Sequence, residues 1–229
     1  MRLLTYNVHG CIGQQHRFDG ERIIRNILEV DADFVALQEV YDQRWEERSF
    51  LRELKDIGYS TVHYGMTIRR DDGDYGNVVL MKGEPEHTEE IDLSLEGKEP
   101  RGAIRMFLQH EGKCIEIVST HFGLGLAERH QQIHRLLAVL EDRDPTPDCP
   151  RILLGDLNEW NPFSNRWHVL SNDFEVGERL RTFPAVLPFF ALDRVLVAPK
   201  DVAVCRAVPR AKPFRRASDH LPLVAEVDW

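Results

Sequence analysis

The chain has 229 residues, with 29 Lys+Arg against 38 Asp+Glu and a formal net charge of −9. With 42% hydrophobic and 29% charged residues it can bury a sizeable core, which excludes the disordered and fibrous classes. It holds no run of about eighteen apolar residues, so no transmembrane helix is expected, and MRLLTYNVHG lacks the apolar stretch of a signal peptide. The net charge argues against indiscriminate affinity for nucleic acid, because polyanions are gripped by basic surfaces. Cys11, Cys114, Cys149 and Cys205 form no CxxC pair. They are expected to be reduced, core-filling thiols in a cytoplasmic protein rather than a disulfide frame or a zinc site.

No repeat, low-complexity tract or charge block divides the sequence, so residues 1–229 read as one domain. In chain order, Leu3–Val8 is a first strand. Asp19 then caps a helix in which Ile23, Ile24, Ile27 and Leu28 share a face. Phe34–Val40 is a strand, and Ser49–Ile57 a weaker helix ended by Gly58. The turn-rich Arg69–Gly76 is read as a loop before the strand Asn77–Met81, and Gly83–Pro100 as another. The strands Ala103–Gln109 and Cys114–Thr120 precede a helix over Ala127–Leu140. Its Ile133, Leu136, Leu137 and Leu140 point inward, and Glu128, Arg129, Gln131 and Arg135 are expected mostly outward. A loop, Asp142–Pro150, leads to the strand Arg151–Leu154. Leu192–Ala198, Val202–Ala207 and Leu223–Val227 complete the strands. Nine strands with several helices make an α/β or α+β domain with packed sheets.

The strands end on chemically competent side chains. Leu3–Tyr6 runs into Asn7, Val35–Gln38 into Glu39, Ile117–Thr120 into His121, and Ile152–Gly155 into Asp156 and Asn158. Asp193 heads DRVLV, and Asp219–His220 precedes LPLVAEV. Such repetition predicts that strand ends converge on one site. Carboxylate and amide oxygens without cysteine favour a hard cation, Mg²⁺ or Mn²⁺, over zinc. Histidine beside carboxylates supplies proton transfer near neutral pH. There is no GxxxxGK[ST], GxSxG or HExxH pattern, which removes the P-loop, serine-hydrolase and zincin readings.

Taken in order, TYNVHG, LQEV, YGNVVL, PRGAI, STHFG, GDLNEW, LDRVLV and SDHLPL resemble the endonuclease/exonuclease/phosphatase superfamily across residues 2 to 227. HFGLGLAERHQQ and RTFPAVLPFFALDR are similar to a narrower group of small bacterial members. The resemblance implies a four-layer α/β/β/α sandwich, two mixed sheets packed face to face between helices, and Mg²⁺-dependent hydrolysis of a phosphoester. Matched motif by motif, it places Glu39, Asn7 and Asp219 at the metal. Asp156 and Asn158 orient the attacking water and the phosphate, and Asp193 fixes the tautomer of the catalytic His220. His121 contacts the phosphate, with Arg101 neutralising one of its oxygens and with Asn77 and His9 also assigned to phosphate binding. Abasic-site endonucleases of the group carry Tyr and Asn where this chain has His121 and Leu124, and Asp where it has His9. Those departures weigh against a dedicated DNA-repair enzyme.

The expected activity is diester hydrolysis by a monomer, with a small diester, a nucleic acid or a lipid headgroup as substrate. A nuclease needs a basic path across the site. A phospholipid or inositol-phosphate hydrolase needs an apolar loop, for which RTFPAVLPFF is the candidate. A non-catalytic binding module on the same fold is the reading from a different class, disfavoured because Glu39, Asp156 and His220 are all kept. Phe183, Phe189 and Phe190 either pack under a loop or offer a face to a base or acyl chain. His130 and His134, at i, i+4, are read as surface residues. The charge is uneven: Arg194–Arg216 holds seven basic residues and one acid just before Asp219–His220, which predicts a basic lip beside the catalytic histidine.

Overall fold

The computed structural model describes residues 1–45, 48–146 and 148–228. In chain order the strands are β1 (Arg2–Asn7), β2 (Phe34–Trp45), β3 (Arg48–Ser49), β4 (Thr61–Ile68), β5 (Gly73–Met81), β6 (His87–Asp92), β7 (Gly102–His110), β8 (Lys113–His121), β9 (Arg151–Asp156), β10 (Asp193–Ala198), β11 (Ala203–Ala207) and β12 (Leu223–Asp228). The helices are α1 (Gly20–Val30), α2 (Phe50–Lys55), α3 (Leu126–Leu140), α4 (Asn165–Asp173) and α5 (Lys212–Ala217). One sheet runs β11-β12-β1-β2-β5-β4 with β3 beside β2, and the other runs β10-β9-β8-β7-β6. Both are mixed: β1–β2 and β8–β9 are parallel, and their other neighbours antiparallel.

The apolar runs are continuous because both faces of each sheet are covered. Alternate residues Leu3, Phe34, Ala36, Val79 and Met81 meet Ile117, Ile152, Leu154, Val195 and Val197 of the second sheet. The intervening Leu4, Val35, Leu37, Val78 and Leu80 pack under Ile23 and Ile27 of α1, Phe50 and Leu54 of α2, and Phe214 of α5. On the far side, Val118, Leu153 and Leu196 meet Ile133, Leu136 and Leu140 of α3 and Trp167 and Leu170 of α4. The layers are therefore helix, sheet, sheet, helix, as the resemblance implied. Among the described residues no helix is long and apolar enough to cross a membrane.

Several local expectations are corrected. β4 and β6 were not legible, and β6 lies inside the expected loop Gly83–Pro100. Both are edge strands, TVHYGMTI and HTEEID, whose polar outer positions break the apolar run. The expected loop Arg69–Gly76 is half strand, because β5 begins at Gly73. Asp19 caps α1 by accepting from the Arg22 N–H, but the buried stripe is Ile23, Ile27 and Val30, which leaves Leu28 exposed. In α3 the expected outward residues Glu128 and Arg129 are buried. Arg129 donates to the carbonyls of Gly123 and Leu124, and Glu128 accepts from the Gly125 N–H. A Cβ at Gly123 would overlap the Glu128 carboxylate as it is placed here.

The cysteine expectation is also overturned: Cys114 and Cys149 form a disulfide, while Cys11 is a buried free thiol and Cys205 an exposed one. The pairing follows from strand register. Glu116 stands opposite Arg151 in the parallel β8–β9 pair, so residues two positions earlier in each chain segment lie side by side. Disulfides belong to oxidising compartments more than to the cytosol, so the argument from reduced thiols for a cytoplasmic location no longer applies.

Next to this crosslink, Glu116 is fully buried among arginines. It accepts from Arg105 Nε at 2.8 Å, faces Arg151 Nε at 2.8 Å and pairs with Arg143. Three guanidiniums compensate the desolvation of one carboxylate, and losing that carboxylate takes from Arg143 and Arg151 their paired anion, while Arg105 keeps Asp142 and Glu89. Glu116→Ala should therefore lower unfolding free energy by about 3–5 kcal/mol in urea titration. Thiol titration of the unreduced, denatured chain should count two free thiols; four would refute the Cys114–Cys149 bond.

Candidate active site

The carboxyl ends of β1, β8 and β9 meet the middle of β2 at one edge of the sandwich. Asn7 ends β1 and Asp156 ends β9, and Asn7 Nδ2 donates to Asp156 Oδ2 at 2.9 Å across the gap between the sheets. The same amide nitrogen donates to Glu39 Oε1 at 2.9 Å. Asp193, the first residue of β10, pairs in register with Asp156. His220 lies just before β12 and is fixed by Ser218, whose hydroxyl donates to the Asn7 carbonyl at 2.8 Å and accepts from the His220 N–H at 3.2 Å.

The expectation that β2 stops at Glu39 is corrected. β2 continues to Trp45, and its pairing with β5 slips between Leu37 and Val40. At that irregularity Glu39 adopts a left-handed backbone, φ +56°. A β-bulge of this kind re-aims a side chain without ending the strand. Gly155, with φ +146°, is the other backbone requirement: a Cβ there would overlap the Thr120 carbonyl oxygen. Glycine thus lets β9 lie against β8 immediately before Asp156. Asn158, at φ +50°, closes the turn after it by donating its N–H to Asp156 Oδ1 at 2.9 Å.

The two buried histidines are held in opposite states. His220 places Nδ1 2.8 Å from Asp193 Oδ2, and its Nε2 faces Asp156 Oδ2 at 3.7 Å. Burial disfavours its charge, but Asp193, then Asp156 and Asp219, outweigh that and push the ring up to about 10. His121 is equally buried, with Arg101 Nη1 at 3.2 Å from Nδ1 and Asn158 Nδ2 at 3.0 Å from Nε2. Burial and the Arg101 charge push it down to about 3, so it is a neutral ring. Environments that separate two like groups in this way separate their roles.

Around this core the charges balance locally. Burial opposes ionisation of Glu39, yet His9, His121 and Asn7 hold its carboxyl well below the usual range. The side chains of His9 and Asp219 are 47% and 41% exposed, at the mouth of the site. His9 Nδ1 lies 3.4 Å from Glu39 Oε2 and 3.7 Å from Asp219 Oδ2, and its bond to Glu39 raises its pKa. Burial pushes Asp156 up. Arg101 also pairs with Glu99 Oε1 at 2.8 Å.

Among the described residues, two groups of side chains each bring one ligand atom per residue within 4.8 Å of the others: Glu39–His121–Asp156 and Asp156–Asp193–His220. In the second, His220 Nδ1 is already engaged by Asp193, which leaves Glu39 and Asp156 as the better-placed anionic ligands. Carboxylate oxygens without thiolates fit a hard divalent cation.

The structure thus brings Asn7, Glu39, His121, Asp156, Asn158, Asp193, Asp219 and His220 together, with His9 and Arg101 on the margin. Asn77 is buried but lines a neighbouring groove of about 320 Å³ with Arg101, Thr67 and Ser94. Sequence reasoning gave no role to Ser218 or to Trp160. The Trp160 ring packs edge-on to Phe183 at 5.4 Å, and Phe183 lies 4.8 Å from the His220 ring. Their signal was local: Ser218 directly precedes Asp219–His220, and Trp160 directly follows GDLNE. The basic lip is smaller than expected. Arg194 stacks over Trp167, Arg206 pairs with Glu175 and Lys200 does not line the recess, which is formed by Arg210, Lys212, Arg215 and Arg216.

A family model described as Endonuclease/Exonuclease/phosphatase family matches residues 4–220. The chain belongs to that family. It is 32% identical to the uncharacterized protein YbhP of Escherichia coli K12, over 99% of this chain and 95% of that one. Among solved structures, a functionally unknown conserved protein from Enterococcus faecalis V583 matches with TM-score 0.81 and 21% identity, covering 100% of this chain and 99% of that one. The human Nocturnin catalytic domain with bound sulfate anion matches with TM-score 0.77 and 19% identity, covering 100% and 93%. These likenesses establish the DNase I-like fold. Members of the endonuclease/exonuclease/phosphatase family are in general phosphoester hydrolases that use divalent metals.

In metal-free protein the His220 ring should titrate near pH 10 by NMR, and Asp193→Asn should bring that down by roughly one to three pH units. Titration near the ordinary histidine value of 6.5 in the wild type would remove the charge assignment.

Proposed function

We propose that the protein is a Mg²⁺-dependent phosphodiesterase. The observation that carries this reading is the pairing of Glu39 and Asp156 on one amide donor, Asn7, directly opposite the His220–Asp193 dyad. Glu39 and Asp156, with Asp219 at the mouth, would hold the cation. When bound, it neutralises a phosphoryl oxygen and so favours attack at phosphorus.

The remaining steps fall to the chain's own residues. Asp156 orients the attacking water and takes its proton as the new P–O bond forms, with Asn158 fixing the turn that presents the carboxylate. His220, whose Nδ1–H is engaged by Asp193, directs Nε2–H into the site and gives that proton to the leaving oxygen. His121 is neutral and cannot repeat that step; it contacts the phosphate, and Arg101 adds positive charge behind it. A long nucleic-acid track is disfavoured, because the basic residues near the site form a short lip rather than a path.

Glu39→Ala and His220→Ala should each reduce turnover of bis-p-nitrophenyl phosphate by at least ~10²-fold, the usual scale for losing such a group. EDTA should abolish activity and Mg²⁺ restore it. Because p-nitrophenolate needs less help in leaving than an alkoxide does, His220→Ala should lose still more on a diester with an alkyl leaving group. Turnover near the wild-type level in both variants refutes the mechanism.

A further inference from the structure

The loop between Thr182 and Phe190 is a stiff, convex apolar projection at the rim of the site. Phe183 N and Phe190 N exchange bonds with each other's carbonyls at 3.1 and 2.8 Å, and Leu187 N donates to the Pro184 carbonyl at 3.1 Å. Its base is tied to the catalytic turn: Ala185 N donates to the Asp219 carbonyl at 2.6 Å, and Leu221 N to the Thr182 carbonyl at 2.8 Å. Above that base Val186, Leu187 and Phe189 are about 60% exposed. Phe163, exposed by 87%, stands on the neighbouring loop and shares a groove with Phe189, Arg179 and Arg181.

Cations flank the tip on both sides. Arg210, Lys212, Arg215 and Arg216 line a recess with Val186, and Arg215 Nη1 reaches the Val186 carbonyl at 3.5 Å. Arg179 and Arg181 lie on the opposite side, with the Arg179 guanidinium 5.9 Å from the Phe163 ring. Exposed aliphatic side chains have no π face, so base stacking does not account for Val186 and Leu187. An apolar tip between cations is the arrangement that inserts among acyl chains while its charges meet lipid phosphates.

We propose that this loop is an interfacial anchor that docks the active-site face onto an anionic phospholipid bilayer. Docking sets the His220 side of the site at the level of the headgroups. Together with the phosphodiesterase reading, on which this part rests, it makes headgroup phosphodiesters the substrate class.

The docking step is tested without turnover. In EDTA and low salt, the intact protein should sediment with vesicles of equal phosphatidylglycerol and phosphatidylcholine and remain in solution with phosphatidylcholine alone. Val186→Asp with Leu187→Asp should reduce partitioning at least ~10-fold, as burial of two aliphatic side chains implies. Arg210→Glu with Lys212→Glu should do the same, and added salt should weaken wild-type binding. The tip double variant should keep wild-type turnover of bis-p-nitrophenyl phosphate. If the tip double variant fails to fold by circular dichroism, Phe189→Ser replaces it. Wild-type protein that ignores anionic vesicles, or tip variants that still bind them, overturns the proposal. So does a preference for an RNA or DNA oligonucleotide over vesicles that the cation variants abolish. Vesicle binding without diester turnover supports the anchor and refutes the chemistry, so the two failures are distinct.

Discussion

Carboxylates avoid one another, and more so where water is excluded. This fold nevertheless gathers Glu39, Asp156 and Asp193 at the meeting edge of two sheets, with Asp219 at the rim. The amide of Asn7 reconciles the first pair by donating to both at 2.9 Å. The His220 ring lies between Asp156 and Asp193, hydrogen-bonded to Asp193 at 2.8 Å and facing Asp156 at 3.7 Å. The two sheets must therefore approach at one end closely enough for β1 to touch β9, and the dry interior of Leu3, Phe34, Ile152 and Leu154 holds them there. Packing far from the chemistry is what makes the concentration of negative charge sustainable. It also leaves a binding opportunity for a divalent cation.

Much of the site was legible because its residues interrupt apolar runs. Asn7, His121 and Asp156 each close a buried strand, and alternation can be read from a single chain. The motif order then extended the reading from a set of strand ends to a family and a four-layer fold. What stayed hidden depends on tertiary neighbours. Glu39 looked like a strand terminus because a bulge leaves no mark in hydrophobic periodicity. Glu116 looked like one polar position in an alternating strand, whereas three arginines from distant segments make its burial tolerable. Edge strands β4 and β6 were missed because only one flank of each is paired, which lets polar residues occupy much of their length.

The charge of −9 describes the chain as a whole and not the face that works. Arginines that look equivalent in sequence divide into structural and exposed groups. Arg105, Arg194 and Arg206 are consumed by internal partners, while Arg210, Lys212, Arg215 and Arg216 remain near the catalytic turn. Position therefore decides function where composition could not.

The Cys114–Cys149 bond and the candidate site residues occupy opposite poles of the same strands. β8 begins beside Cys114 and ends at His121, a separation of roughly 23 Å along an extended strand. The molecule is stapled at the end away from its chemistry. Its redox state consequently bears on how long the fold endures, through the segment that carries Arg143 and the Glu116 cluster. The cleft itself rests on hydrogen bonds, ion pairs and packing, with no crosslink among its described residues.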